Sequence, residues 1–145
     1  MATPLVVSEL CKSFTMHLRD GIRLPVVDKA RFALQAGECA VLGGPSGAGK
    51  SSILKMLYGN YAVDSGQIII DHHGTLTDMA AASPRDVLAI RRDTLGYVSQ
   101  FLRVVPRVSA VDIVAEPLLA RGRDSGEALA RSRDLLSRLN LPERL

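Results

Sequence analysis

Cys39-Ala-Val-Leu42-Gly-Gly44-Pro-Ser-Gly-Ala-Gly49-Lys50-Ser51-Ser52 decides how this chain is read. A short apolar run, Cys39–Leu42, is predicted to be a strand buried on both faces. It leads into a glycine-rich loop of the form G-x-x-x-x-G-K-S, and Lys50–Tyr58 follows with Ile53, Leu54 and Leu57 at helical spacing. Strand, glycine loop and helix in that order are the context that makes this pattern a phosphate-binding loop. A triphosphate needs many donors converging on a small volume. Gly44, Gly47 and Gly49 let backbone N–H groups turn inward, and Ser46 and Ala48 are small enough not to obstruct them. Pro45 completes the loop. The free amides at the helix start add a site for anions. Lys50 is expected to reach the β- and γ-phosphates, Ser51 to give its hydroxyl to Mg²⁺, and Ser52 to approach the α-phosphate. The expected ligand is a nucleoside triphosphate, ATP with Mg²⁺.

Around this centre the chain reads as one α/β domain. Leu5–Leu10, Leu24–Val27 and Arg31–Leu34 are predicted strands, and Ala36-Gly-Glu38 and Asp64-Ser-Gly66 are predicted turns. Gln67–Ile70 is a β-branched strand ending at the His72-His73-Gly74 turn. Ser83-Pro84 opens a helix to about Arg92, and Thr94–Val98 is predicted to be a further strand. Ser109 caps a helix over Ala110–Ala120, which Pro117 should kink or break. Asp124-Ser-Gly-Glu127 resembles a capping box for a helix to about Leu139, with Leu129, Leu135, Leu136 and Leu139 on its apolar face.

Composition narrows the class. The chain has 145 residues, 47% hydrophobic and 23% charged, enough for one globular domain. No apolar run is long enough to span a bilayer. Met1–Val7 has no signal-peptide pattern, so a cytoplasmic location without membrane insertion is expected. Cys11 and Cys39 sit in apolar contexts and read as reduced core thiols. Residues 81–145 hold 11 Arg and no Lys against 8 acids. The arginines alternate with acids on helix-like segments, as in Arg131-Ser-Arg133-Asp134, which favours a solvated helix face over a nucleic-acid surface.

A glycine loop alone does not separate small-molecule kinases, GTPases and transport ATPases. Leu95-Gly-Tyr-Val-Ser-Gln100-Phe begins 45 residues after Lys50 and resembles the Q-loop of ATP-binding cassette (ABC) ATPases. Leu10-Cys-Lys-Ser-Phe14 resembles that family's opening strand, and Asp64-Ser-Gly66-Gln-Ile resembles its turn after the loop helix. The resemblance implies an α/β P-loop core with an N-terminal antiparallel β subdomain. It implies that Phe14 stacks on adenine, that Gln100 meets Mg²⁺ and the attacking water, and that Ser51 and Gln100 share the metal. It also implies a dimer partner, either a second copy or a homologous subunit.

Within the family, Arg23-Leu-Pro-Val-Val27, Leu57-Tyr-Gly-Asn-Tyr61, Ser99–Arg107 and Leu139–Leu145 resemble the L subunits of phosphonate carbon–phosphorus lyase systems, whose partners are soluble enzyme components. The alternatives are a cassette coupled to a membrane permease and a non-catalytic nucleotide-binding fragment. The spacing of Gln100 argues against a small-molecule kinase.

Two stretches mimic the family's catalytic strand. Ile68-Ile-Ile-Asp71 has its apolar pattern but is followed by His72-His73, and it is expected in the antiparallel subdomain. Ala115-Glu-Pro117 falls in a helical pattern. The signature motif, the Walker B Asp-Glu pair, the D-loop and the switch histidine do not occur. Residues 1–145 therefore read as the N-terminal part of such a domain, able to bind nucleotide but inactive alone. A missing Walker B strand is expected to leave a sheet edge and an apolar face open. His72 and His73, as neighbours on a strand, are expected to point apart and not to share an ion.

Overall fold

The computed structural model describes residues 3–16, 21–99 and 106–141. The chain divides into two compact units, Met1–Tyr97 and Val98–Leu145.

The first unit is built on a four-stranded antiparallel sheet. Its strands are β1 (Leu5–Met16), β2 (Ile22–Leu34), β3 (Ser65–His72) and β4 (Thr75–Asp78), in the order β2-β1-β3-β4. β1 pairs with β2 from Leu5↔Leu34 to Met16↔Ile22, and with β3 through Val7↔Ile68. The two short strands expected at Leu24–Val27 and Arg31–Leu34 are one continuous strand. Lys29, at φ 46°, absorbs the register shift between them. β4 was not anticipated. Its four residues, Thr-Leu-Thr-Asp, carry no long apolar pattern, and the hairpin turn at His73-Gly74 is what places it.

Glu9 in β1 takes φ 50°, a bulge that drives its backbone toward the neighbouring strand. There it meets Gly66 at φ 97°, where a Cβ would lie 2.4 Å from the Glu9 carbonyl oxygen. Gly66, predicted to lie in a turn, instead stands near the start of β3, where this close approach requires a glycine.

Two helices complete the unit, α1 (Lys50–Leu57) and α2 (Pro84–Asp93). The core joins Val7 and Leu10 of β1, Val27 of β2, Met56 of α1, Ile68 and Ile70 of β3, Met79, and Ile90 of α2. Burial of such side chains stabilises by about 1.5–3 kcal/mol each. Ser83 caps α2, accepting from the Asp86 N–H, with Pro84 in the first turn. The two helices are joined at their ends. Arg91 donates from Nε to the Tyr58 carbonyl at 2.8 Å, and its guanidinium lies 4.4 Å from the Tyr58 ring centroid. It thereby satisfies a carbonyl at the negative end of α1. Tyr97 stacks on the other partner of this contact, Tyr58, at 4.9 Å.

Two predicted strands are not formed. Cys39–Leu42 pairs with no strand among the described residues, and Val41 is 87% exposed. The segment keeps an extended alternation. Ala40 and Leu42 line an open apolar depression with Leu5, Phe32, Leu34, Leu54 and Leu57, while Val41 faces away. A strand is defined by its ladder, and an apolar run without a neighbour cannot make one. Thr94–Val98 is irregular for the same reason. Cys39 is correspondingly exposed rather than a core thiol, and Cys11 is half-buried.

The second unit is a helical hairpin of α3 (Ala110–Leu119) and α4 (Ser125–Arg138). Ser109 and Asp124 cap the two helices, accepting from the Asp112 and Glu127 N–H groups. α3 continues through Pro117, which sits in the exposed last turn, where only one backbone bond is lost. The contact is made by small residues. Ala115 and Ala128 are fully buried, and Ser132 returns its hydroxyl to the Ala128 carbonyl at 2.8 Å. Leu139, expected on the apolar face, is 70% exposed. No helix among the described residues is long and apolar enough to cross a membrane.

Candidate functional site

The glycine loop lies at the N-terminus of α1. Gly44, Gly47 and Gly49 have positive φ values of 132°, 84° and 84°. Gly49 occupies the cap position, and no side chain caps the helix. The first-turn N–H groups, those of Lys50, Ser51 and Ser52 among them, have no carbonyl behind them in the helix. No acidic residue lies in that turn. A carboxylate there would compete for the positive end of the dipole, so its absence leaves the position to an external anion. Pro45, Ser46, Gly47, Ala48 and Ser51 are exposed.

Lys50 folds back over the loop. Its Nζ donates to the Gly44 carbonyl at 2.8 Å and to the Pro45 carbonyl at 2.6 Å. The ammonium is thus held on the loop itself, by acceptors weaker than phosphate oxygens.

Strand β2 seats the loop. A Cβ on Gly49 would lie 2.5 Å from the Val26 carbonyl oxygen and 3.2 Å from Val27 Cγ2. Two residues earlier on β2, Leu24 pairs with Phe14 of β1. Phe14 is half-buried and packs edge-to-face on Tyr61 at 5.4 Å, with Lys12 Nζ 5.5 Å from its ring centroid. The strand that carries the predicted adenine contact is therefore paired to the strand on which the phosphate loop rests. Gln100 lies outside the described residues.

A polar cluster beside Phe14 was not anticipated. Asp64 Oδ2 accepts from the Ser13 N–H and hydroxyl, both at 2.8 Å, and from Arg23 at 3.0 Å. Its Oδ1 accepts from Lys12 at 2.9 Å. Lys12 first, then Ser13 and Arg23, hold the Asp64 carboxyl far below the usual carboxylate range. The residues are 41 to 52 positions apart in the sequence, so no local pattern reveals them. Tyr61 and Asp64 both belong to the segment between α1 and β3, which is thereby fastened to β1 at Phe14 and at the two residues before it.

The histidine pair also differs from expectation. His72 ends β3, but His73 takes φ 53° in the turn, and the strand alternation stops there. The two rings lie on the same side, 4.5 Å apart. Ile68–Asp71 forms part of β3, and Ala115–Pro117 lies in α3.

The geometry sets a glycine loop at an uncapped helix, joined through a strand pair to an aromatic side chain. A family model described as ABC transporter matches residues 27–144. Lipoprotein-releasing system ATP-binding protein LolD of Novosphingobium aromaticivorans is 38% identical over 149 residues, covering 100% of this chain and 62% of that protein. The LolD protein of Idiomarina loihiensis is 34% identical over 136 residues, covering 93% and 58%. Among solved structures, the dimeric ATP-binding cassette MJ0796, in a post-hydrolysis state bound to ADP and Pi, superposes with a TM-score of 0.81. It is 23% identical, with 97% of this chain and 59% of that one covered. The chain belongs to the ABC transporter family of ATP-binding cassettes, with the α/β cassette fold that the resemblance implied. It spans about three-fifths of the length of these curated relatives. The relatives give no support to the narrower resemblance to a carbon–phosphorus lyase subunit.

Proposed function

We propose that this chain binds ATP with Mg²⁺ as the nucleotide-binding part of an ABC cassette that works with membrane permease subunits. The observation that carries the reading is the uncapped start of α1 under the Gly44–Gly49 loop, with Lys50 held on loop carbonyls that phosphate oxygens would displace. Loop amides and Lys50 hold the phosphates, Ser52 lies beside them, and Phe14 takes the base. Ser51 and Gln100 hold Mg²⁺, whose chemistry is to neutralise charge on the β- and γ-phosphates. The named relatives are ATP-binding proteins of a lipoprotein-releasing system, which favours a transporter-type assembly on the cytoplasmic side of a membrane. A second copy or a homologous subunit completes the dimer.

The sequence holds no Asp-Glu pair at a strand end and no signature motif. The 145 residues alone are therefore proposed to bind nucleotide without turnover, because no carboxylate is supplied to act as general base on the water that Gln100 would meet. The test is titration with a fluorescent ATP analogue, with Mg²⁺ and with Lys50→Ala as control. Saturable, Mg²⁺-strengthened binding lost in the variant is expected, and equal binding by both proteins rejects the site.

A second reading keeps the carbon–phosphorus lyase system and soluble enzyme partners. It rests on the resemblance of Ser99–Arg107 to those subunits. Co-purification from native membranes and cytosol separates the two, since one predicts a permease and the other soluble lyase components.

A further inference from the structure

His72, His73 and Asp93 come together on the face of the first unit remote in sequence from the glycine loop. Each offers one ligand atom, and the three atoms lie within 4.8 Å of one another. Two features of the backbone bring them there. The left-handed conformation of His73 turns its ring onto the side of His72, at 4.5 Å between centroids. The end of α2 then presents Asp93 against the β3–β4 turn.

The surroundings suit a metal ion more than a casual cluster. His72 Nδ1 lies 2.6 Å from Thr94 Oγ1. In the tautomer in which Nδ1–H donates to the Thr94 hydroxyl, the imidazole is fixed and the Nε2 lone pair is left to coordinate, the usual arrangement behind a metal-bound histidine. Arg92 donates to the Asp93 carboxylate from Nε and from a terminal nitrogen, at 2.9 Å each. Each carboxylate oxygen retains a lone pair beyond those bonds. Arg92 is the one cation in this pairing, and its charge is already matched by Asp93. Two imidazoles and one carboxylate select borderline ions such as Zn²⁺ and disfavour Mg²⁺ and Ca²⁺, which prefer all-oxygen shells.

We propose that His72, His73 and Asp93 form a binding site for a divalent transition-metal ion of the zinc class. The ion staples the β3–β4 turn to the C-terminal end of α2. Ligands about 2.0–2.2 Å from zinc sit about 3.3–3.5 Å from one another, so exposed His73 closes inward by a rotamer adjustment when the ion binds. The remaining coordination positions are open to water. The proposal is independent of nucleotide binding.

The test is calorimetric titration of Zn²⁺ into the full chain carrying Cys39→Ser, which removes the exposed thiol as a competing ligand. One Zn²⁺ per chain is expected, together with a rise in melting temperature. His73→Asn keeps a residue that tolerates the left-handed turn and should weaken binding at least about tenfold and abolish the thermal shift. Asp93→Asn should weaken it as well, and Mg²⁺ should not substitute. Circular dichroism establishes that each variant is folded. Absence of Zn²⁺ binding by the parent, or equal binding by parent and folded His73→Asn, overturns the proposal.

Discussion

Gly49 and Val26 approach so closely that a side chain on the glycine would collide with the Val26 carbonyl oxygen, 2.5 Å from an ideal Cβ. The contact joins the phosphate loop to a strand distant from it in sequence, and it occurs at φ 84°. Gly49→Ala is therefore expected to lose stability by about 1–3 kcal/mol from the backbone conformation alone. Displacement of the loop from β2 adds to that. Urea denaturation measures the first effect, and titration with an ATP analogue on the remaining folded protein measures the second. Wild-type stability in the variant would show that the loop does not rest on β2.

Lys50→Ala separates binding from folding. The two bonds of Lys50 are to exposed loop carbonyls, so their removal should leave the denaturation midpoint nearly unchanged. Charge-assisted bonds to phosphate contribute about 1.5–3 kcal/mol, which corresponds to an affinity loss of about 10- to 150-fold. Paired melting and titration curves check both halves of this expectation.

Phe14→Ala should weaken ATP binding while leaving inorganic tripolyphosphate unaffected. The phosphate subsite is built from other residues, and loss of an aromatic–base stack costs about 1–3 kcal/mol. Competition of each ligand against a fluorescent analogue distinguishes the two subsites. An equal loss for both ligands would mean that Phe14 supports the fold rather than the base.

Asp64 makes acid stability testable. Its folded-state carboxyl titrates below the ordinary range because Lys12, Ser13 and Arg23 favour the charged form. A depressed folded pKa contributes stability that is present above the unfolded value, about 3.9, and is lost as pH falls toward the folded one. The wild type should thus lose stability below about pH 4, and Asp64→Asn should show a flatter profile across that window. Melting temperatures from pH 6 down to the acid limit of solubility (roughly pH 2 to 3) are the measurement.

The helical hairpin offers a packing test. Ser132 is 1% exposed and bonds back to Ala128. Ser132→Leu should destabilise the α3–α4 contact by about 1–3 kcal/mol, whereas the isosteric Ser132→Ala should be nearly neutral. Chemical denaturation followed by helical ellipticity reports both.

Local signals were the most legible. Ser83-Pro84, Ser109 and Asp124 announce helix starts because each satisfies amides only three residues ahead. The glycine loop is equally local, and its positive-φ glycines ahead of α1 are where the sequence pattern put them. Strands were less so. Cys39–Leu42 and Thr94–Val98 have strand-like composition, but a strand needs a neighbour, and composition does not supply one. β2 was read as two pieces because the left-handed Lys29 interrupts its alternation. The Asp64 cluster and the Gly49–Val26 contact join residues more than 20 positions apart. They exist only where the sheet brings the two stretches together, so no local window of sequence holds them.

The pairing of Leu24 with Phe14, and the seating of Gly49 on Val26, tie both ends of the proposed nucleotide site to a single strand. Two residues of extended chain span about 6.6–6.8 Å. In the proposed site β2 would thus act as a gauge of fixed length between base and phosphates. Its graduation is the pitch of the peptide backbone, which side-chain substitution along the strand leaves unaltered. Only an inserted or deleted residue between Leu24 and Val26 would reset it.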